Sequence, residues 1–204
     1  MTGSFESLLN TDFRWSTPGD RALVAAPDWF RNATVAQHPF DRMVLMTDGY
    51  KQAADILVAK AIEDRPSRDL LLYPIVFCYR HFIELSLKYV IVTYGRRAGV
   101  QPNLKDHDLD LLWPEFCRVL AQYGEGDKSA LSVVEAVVAE FTKIDQGSFT
   151  FRYPTSRKGD PIVINQDNID LAQLRDTMDG VANFFTGADG YLDDANKSIP
   201  TDGW

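Results

Sequence analysis

The stretch FCYRHFIELSLKYV, residues 77–90, decides how this chain folds. When its residues are placed at about 100° per residue, apolar side chains cover more than half of the helix circumference, which is typical of a helix at the centre of a bundle. Four polar side chains interrupt this surface and form one stripe: Arg80, His81, Glu84 and Lys88. Because a buried charge without a partner is costly, this polar stripe predicts either an internal ion-pair network or the wall of a crevice.

The residues alone leave both interpretations of the polar stripe open. Arg80, Glu84 and Lys88 stand at i, i+4 and i+8, so they pair with one another even on an ordinary exposed helix face. An imidazole beside a guanidinium, however, combines a proton carrier with a fork that fits phosphate. We therefore expect Arg80 and His81 to face a crevice that accepts a phosphate group.

Length and composition predict one globular domain. The chain has 204 residues, of which 45% are hydrophobic and 25% are charged. Its net charge of −8 argues against a broad basic face for duplex nucleic acid, but it is compatible with a small basic pocket for one phosphate or a single strand. The two cysteines, Cys78 and Cys117, lie among apolar residues, as expected for reduced thiols in a protein core.

The sequence favours a cytoplasmic protein without a membrane span. The first residues, MTGSFESLLNTDFRW, lack the basic region and apolar core of a signal peptide. No apolar run reaches the roughly 18 residues that a membrane-spanning helix needs, because the polar stripe interrupts the longest candidate.

Apolar periodicity predicts an all-α fold, an antiparallel bundle of about five helices. The predicted helices cover residues 41–63, 67–94, 107–123, 128–145 and 168–185. Before them, residues 1–40 contain several prolines and scattered aromatic residues, which indicate an extended arm that packs through its aromatic side chains. After them, residues 187–204 are acidic and rich in glycine, which predicts a loosely ordered tail. The helical domain is therefore expected to span residues 41–186.

One segment of the chain has the period of a strand. SFTFRYP, residues 148–154, alternates aromatic and polar residues, and PIVIN, residues 161–165, is a second short β-like run. The polar residues between these runs are typical of a turn. We expect one short β-hairpin, at about residues 149–165, inserted into the bundle.

Three polar residues outside the central helix are candidates to complete the crevice. His107 opens the third predicted helix, Asp145 ends the fourth, and Arg152 lies in the predicted hairpin. Each also has a simpler explanation, as a capping residue, a loop acid and a surface charge respectively. Together they would extend the polar stripe around a single site.

Three segments in this order resemble the HEPN superfamily of helical proteins associated with RNA and nucleotides: YPIVFCYRHFIELSLKYV (73–90), HDLDLLW (107–113) and IDQGSFTFRYP (144–154). The resemblance covers about residues 41–186. It implies an antiparallel helical bundle, commonly a homodimer, that acts on RNA or nucleotides. It also implies a setting in toxin–antitoxin systems or phage defence, with an antitoxin or a nucleotidyltransferase as partner.

The resemblance also implies roles for individual residues. His81 or His107 would be the general acid or base in attack of a 2′-hydroxyl on phosphate, and Glu84 would orient an imidazole or an arginine. The phosphate would be held by cations and a phenol from the polar stripe and the predicted hairpin, and Arg80 would also stabilise developing charge. These phosphate-binding candidates are Arg80, Lys88, Arg152 and Tyr153.

The sequence departs from the ribonuclease signature of that superfamily. The signature is an arginine followed four to six residues later by a histidine near the last helices, but no histidine follows His107. The literal match, RNATVAQH from Arg31 to His38, lies in the predicted arm, and short motifs of this kind also arise by chance. The resemblance therefore predicts the fold more securely than the activity.

Two other functions are open from the residues. In the first, the chain is a non-catalytic helical dimer whose polar stripe is a structural network and whose acidic surface docks a protein partner. In the second, His81, Glu84 and His107 form a metal hydrolase, but the helix lacks the paired histidines that would place two imidazoles on one face. We therefore expect neither a metal nor another cofactor.

Overall fold

The computed structural model describes residues 14–124, 128–145, 147–156 and 158–198. The chain divides into two compact units, Met1–Ala36 and Gln37–Trp204. The second unit contains five α-helices among its described residues, which are α1 (Pro39–Glu63), α2 (Arg65–Tyr94), α3 (Leu109–Tyr123), α4 (Lys128–Ile144) and α5 (Leu171–Ser198). The described residues contain no β-strand, and the predicted all-α fold is confirmed.

Helix α2 is the centre of the second unit. It packs against α1, α3 and α5, while α4 packs against α3 and α5. Its side chains are buried on nearly every face over its C-terminal two thirds, as the apolar circumference of residues 77–90 predicts. Around it, Phe116 of α3 and Met178 of α5 are fully buried in the same core.

By length and composition alone, α2 together with the short turn after it would be long enough to cross a membrane. In the fold, however, 56% of its most apolar window is buried inside the protein. A central core helix meets the same criteria of length and hydropathy, so this property of α2 is weak support for a membrane span.

The predicted β-hairpin at residues 149–165 is absent from the described residues. Phe149 and Arg152 lie in a turn, in which the amides of Arg152 and Tyr153 both donate to the carbonyl of Phe149. The Asp145 carboxylate accepts the amides of Phe149 and Thr150, at 2.7 and 2.8 Å. These backbone N–H groups are therefore not available for a ladder, and among the described residues a single antiparallel bridge, Thr155 to Pro161, is left.

The predicted loose tail is instead helical as far as Ser198. Helix α5 continues through Gly187 and Gly190, and Leu192 beyond them is fully buried. This extension was not predicted because residues 187–198 are acidic and glycine-rich, and their apolar residues are too few to show a helical period. The remaining residues, 199–204, lie outside the described part of the chain.

The predicted arm is described from residue 14 onward. It contains one 3-10 turn, Trp29–Arg31, closed by Asn32, whose side chain bonds both the amide and the carbonyl of Ala26. The first helix begins at Pro39, two residues before the predicted start. That the aromatic side chains of the arm pack on the helical unit stays a prediction.

We expect Leu192→Ala to lower the free energy of unfolding by about 2–5 kcal/mol, because it leaves a cavity in the core at the end of α5. Urea unfolding followed by circular dichroism measures the change. Leu70→Ala, which shortens an exposed leucine of α2, is the matched control and is expected to stay within about 0.5 kcal/mol of the wild type. Equal stabilities of the two variants would show that the end of α5 is not packed.

Candidate functional site

The buried carboxylate of Glu84 is the centre of the polar stripe. Its Oε2 accepts a hydrogen bond from Arg80 Nη1 at 2.9 Å, and its Oε1 accepts one from Lys88 Nζ at 2.8 Å. Both cations lie one turn away on the same helix, as their spacing predicts. The three side chains are buried, so these are internal ion pairs rather than surface pairs.

Two imidazoles also meet the Glu84 carboxylate. His107 Nδ1 lies 2.8 Å from Oε1, and His81 Nδ1 lies 3.8 Å from Oε2. Burial alone would raise the pKa of Glu84, but its contacts with His81, Lys88 and His107 outweigh burial and hold that pKa well below its usual range. The carboxylate is therefore ionised and only accepts, so His107 donates from Nδ1, and Nε2 is the ring nitrogen outside this hydrogen bond.

The guanidinium of Arg80 is fully buried and joins three parts of the chain. Besides its bond to Glu84, its Nε donates to the backbone carbonyl of Asp145 at 3.2 Å, and its Nη2 donates to the carbonyl of His107. One side chain thus ties α2 to the loop before α3 and to the end of α4. The predicted meeting of Arg80, His107 and Asp145 is present in the structure.

Lys88 supports the same loop from the next turn of α2. Its Nζ donates to the carbonyl of Leu104 at 3.0 Å in addition to its bond with Glu84. Arg80 and Lys88 therefore bind two carbonyls of one connecting segment, and they hold it along the helix. This contact places the His107 side chain beside Glu84.

Asp145 carries the network into the segment after α4. Its Oδ1 accepts the amides of Phe149 and Thr150, while its Oδ2 lies 3.6 Å from Arg80 Nε. That Oδ2 is buried and makes no hydrogen bond within the described residues. Its attraction to the Arg80 guanidinium therefore offsets the cost of burying its charge. Ser148 accommodates the tight turn with a φ of 64°.

Arg152 is the exposed cation of the site. Its Nε donates to the carbonyl of Ser148, and its guanidinium carbon lies 5.4 Å from the ring centre of Phe77 and 5.3 Å from that of Phe149. The ring of Tyr153 is 5.7 Å away. The aromatic faces and the carbonyl fix the orientation of this guanidinium. Its two Nη groups make no hydrogen bond within the described part of the chain.

The ring of Phe77 connects Arg152 with His81. The imidazole of His81 stacks on Phe77 with ring centres 5.6 Å apart and planes 10° apart, and Tyr50 of α1 meets it edge-on at 4.4 Å. The His81 side chain is 17% exposed and that of His107 is 55% exposed. The structure thus leaves two imidazoles and Arg152 accessible above a buried ionic network.

The structure separates the predicted site residues into two groups. Arg80, Glu84 and Lys88 are buried, and every nitrogen of both cations donates at least one hydrogen bond to a protein acceptor, so burial limits the access of phosphate to them. His81 is partly exposed, and His107, Arg152 and Tyr153 are exposed. The roles of Phe77 and Tyr50 were not predicted from the sequence. Phe77 lies on the same helix face as Arg80 and His81, three and four residues before them, and this spacing was the available signal. The sequence carries no such signal for Tyr50.

Metal binding and nucleophilic chemistry depend on how histidine, cysteine and acidic side chains are arranged. Among the described residues, no group of three or more His, Cys, Asp or Glu side chains is arranged to hold a metal ion. Burial raises the pKa of the Cys78 thiol, and burial together with Glu135 raises that of Cys117 to about 11. These thiols are protonated at neutral pH, which is the opposite of an activated nucleophile.

No protein-family model, curated protein or solved structure matches this chain. The resemblance to the HEPN superfamily therefore stays a prediction from the sequence. A function for the chain has to rest on the chemistry of the site itself.

We expect Glu84→Gln to lower the free energy of unfolding at pH 7 by about 3–5 kcal/mol, because it removes the carboxylate paired with buried Lys88 and one of the two carboxylates beside buried Arg80. An unfolded glutamate takes up a proton near pH 4.3, whereas folded Glu84 stays ionised well below that pH. The unfolded state then binds more protons, so the stability that Glu84 contributes is complete above about pH 5 and is lost as the pH falls toward the folded pKa.

Urea unfolding of the wild type and Glu84→Gln between about pH 7 and pH 3 measures both effects. The variant is expected to show the flatter dependence on pH below about 5. Glu63→Gln, which changes an exposed glutamate at the end of α1, serves as the control and should follow the wild type. Parallel curves for the wild type and Glu84→Gln would contradict a low pKa for Glu84.

Proposed function

We propose that this chain binds RNA or a nucleotide at the accessible face formed by His81, His107, Arg152 and Tyr153, and that it cleaves RNA there without a metal. One observation carries the proposal: two accessible imidazoles meet the same buried, ionised carboxylate. A carboxylate that fixes the tautomer of an imidazole is a recurrent arrangement in acid–base catalysis.

The proposed reaction is attack of a ribose 2′-hydroxyl on the adjacent phosphorus. The Nε2 of His107 removes the hydroxyl proton, since Nδ1–H is bound to Glu84, and the 2′-oxygen forms a bond to phosphorus. The bond from phosphorus to the 5′-oxygen breaks, and His81 in its protonated form donates the proton that this leaving oxygen takes up. The products are a 2′,3′-cyclic phosphate and a 5′-hydroxyl end.

Arg152 is the proposed phosphate ligand. Its guanidinium is held by Ser148 and by the neighbouring rings, and within the described residues its two Nη groups make no hydrogen bond. A guanidinium that is already oriented binds the two oxygens of a phosphate with little further loss of freedom, and it stabilises the charge that develops on them. Tyr153 beside it adds a phenol to the same face.

Arg80 and Lys88 are positioning residues in this proposal. They hold the loop that carries His107, and Arg80 also holds Asp145, which organises the turn that carries Arg152. The sequence-based assignment of both cations as phosphate ligands is thereby revised, because their burial favours an indirect role. Removing either would displace the reacting groups without removing one of them.

The biological setting that we propose follows from the resemblance to the HEPN superfamily in the sequence. It is a ribonuclease of a toxin–antitoxin or phage-defence system, working as a homodimer in the cytoplasm. With a net charge of −8, the surface would suit a basic protein partner, such as an antitoxin or a nucleotidyltransferase. The helical bundle with a polar stripe on its central helix is compatible with this setting.

A second candidate function is a non-catalytic helical dimer that acts as a protein-interaction module. The observation that favours it is the burial of Arg80, Glu84 and Lys88, whose charges all find partners inside the protein. Such a network adds little net stability compared with apolar packing, so it would serve to specify one arrangement of the loops. In this function the two histidines would be structural.

We expect purified protein to cleave single-stranded RNA in the presence of EDTA, with cyclic phosphate ends. His107→Ala and His81→Ala are each expected to reduce the rate by about 100- to 10,000-fold, the range for loss of a general acid or base. The matched control is His38→Ala, since His38 is the third histidine of the chain and is exposed before α1. Gel analysis of a labelled RNA pool measures the rates.

The outcomes separate the candidates. Loss of cleavage in His38→Ala, with normal rates in the other two variants, would place the activity at the Arg31–His38 motif and contradict the proposed site. If the wild type neither cleaves nor binds RNA, while it sediments as a dimer, the second candidate is correct. Circular dichroism of each variant shows whether a loss of activity reflects unfolding.

A further inference from the structure

A cavity of about 360 Å³ opens next to Arg152, between α2 and the segment that follows the Arg152 turn. Its wall is largely aromatic and aliphatic and includes Tyr73, Phe151, Tyr153, Pro154, Ile162 and Ile164. Arg152 also lines it, so the proposed phosphate ligand is shared between the catalytic face and this cavity. The volume lies in the range of small-molecule sites, which is about 300–1,000 Å³.

Two tyrosine rings of this cavity are available to a ligand. Tyr73 is 50% exposed and Tyr153 is 51% exposed, although both border an apolar wall. Phe151 is buried behind them, with its ring centre 6.2 Å from that of Tyr73. Half-exposed aromatic rings around an apolar recess favour a flat, aromatic ligand that stacks on them.

The rest of the wall is held in place by the backbone. The amide of Ile162 donates to the carbonyl of Pro154 at 3.0 Å, and the bridge from Thr155 to Pro161 closes the same loop. Ser156 and Asp160 are joined by a further backbone bond of 2.7 Å. The cavity therefore exists before any ligand binds, which lowers the cost of binding.

We propose that this cavity is a nucleobase slot, in which a base stacks against Tyr73 or Tyr153 while Arg152 binds the phosphate attached to its ribose. The inference rests on the proposed function and names its substrate class, which is single-stranded RNA. A base within a duplex is paired and stacked on its neighbours, so it enters such a slot only from a single strand, a loop or a bulge.

The slot also explains how a chain with a net charge of −8 retains RNA. The long-range field of the protein repels a polyanion, and among the described residues that line this cavity Arg152 is the cationic side chain. Stacking of a base on an aromatic ring does not depend on the net charge. Binding through the slot is therefore expected to depend on the presence of a base more strongly than binding through a basic patch would.

The test measures binding of the full chain to fluorescent ten-residue oligoadenylate, to an abasic ribose-phosphate strand of the same length, and to an RNA duplex. Fluorescence anisotropy is recorded in EDTA at 4 °C, with gel analysis of the RNA after each titration. The variants are Tyr73→Ala/Tyr153→Ala, Tyr73→Phe/Tyr153→Phe and Arg152→Ala. Val133→Ala, which shortens an exposed side chain of α4, is the control for a surface substitution.

We expect the double alanine variant to bind oligoadenylate roughly tenfold or more weakly, with little change for the abasic strand. The double phenylalanine variant keeps both rings but loses the phenol of Tyr153, so it should bind oligoadenylate clearly more tightly than the double alanine variant. Arg152→Ala should weaken binding of both single strands, and the wild type should bind the duplex more weakly than oligoadenylate.

Unchanged oligoadenylate binding by the double alanine variant overturns the slot, and the proposed function survives this result if Arg152→Ala still lowers affinity. Equal binding of oligoadenylate and the abasic strand by the wild type overturns the slot in the same way. No binding of any RNA by the wild type overturns both the slot and the proposed function. Thermal melting of each variant identifies a loss of binding that follows from unfolding.

Discussion

The buried guanidinium of Arg80 is the constraint on which the rest of this structure depends. Moving a cation into a protein core costs several kcal/mol unless hydrogen bonds and an opposite charge replace its water. Glu84 supplies the charge, and the carbonyls of His107 and Asp145 supply the remaining acceptors. Both carbonyls belong to segments outside α2. The two segments that carry His107 and Arg152 are therefore positioned by the same electrostatic requirement.

The charges of this network balance without the imidazoles. Arg80 and Lys88 contribute two positive charges, and Glu84 and Asp145 contribute two negative charges. The histidines at its edge are thus not required as permanent cations, which is compatible with the proton exchange that we propose for them. If the network needed charged imidazoles to be neutral, loss of a proton from either histidine would leave a buried charge without compensation.

The sequence predicts the parts of this arrangement that depend on helical period. The pairing of Arg80, Glu84 and Lys88 follows from their spacing, and the central position of α2 follows from its apolar circumference. The segment after α4 was wrongly predicted as a hairpin because the side chain of Asp145, rather than a partner strand, bonds its amides. The contact of His81 and Arg152 with one Phe77 ring depends on tertiary packing, which spacing alone does not encode.

The segment that joins α2 to α3 runs opposite to the helix, because Lys88 binds Leu104 and Arg80 binds His107. The two cations are eight residues apart on α2, or about 12 Å. Leu104 and His107 are three residues apart in the connecting segment, and the stretch between them includes a turn at residues 104–105, so both ends of a short, bent stretch are fixed to the helix. An insertion would be tolerated at the exposed residues 101–103, which follow the buried Val100, whereas a single added residue between the two carbonyls would shift His107 out of register with Glu84.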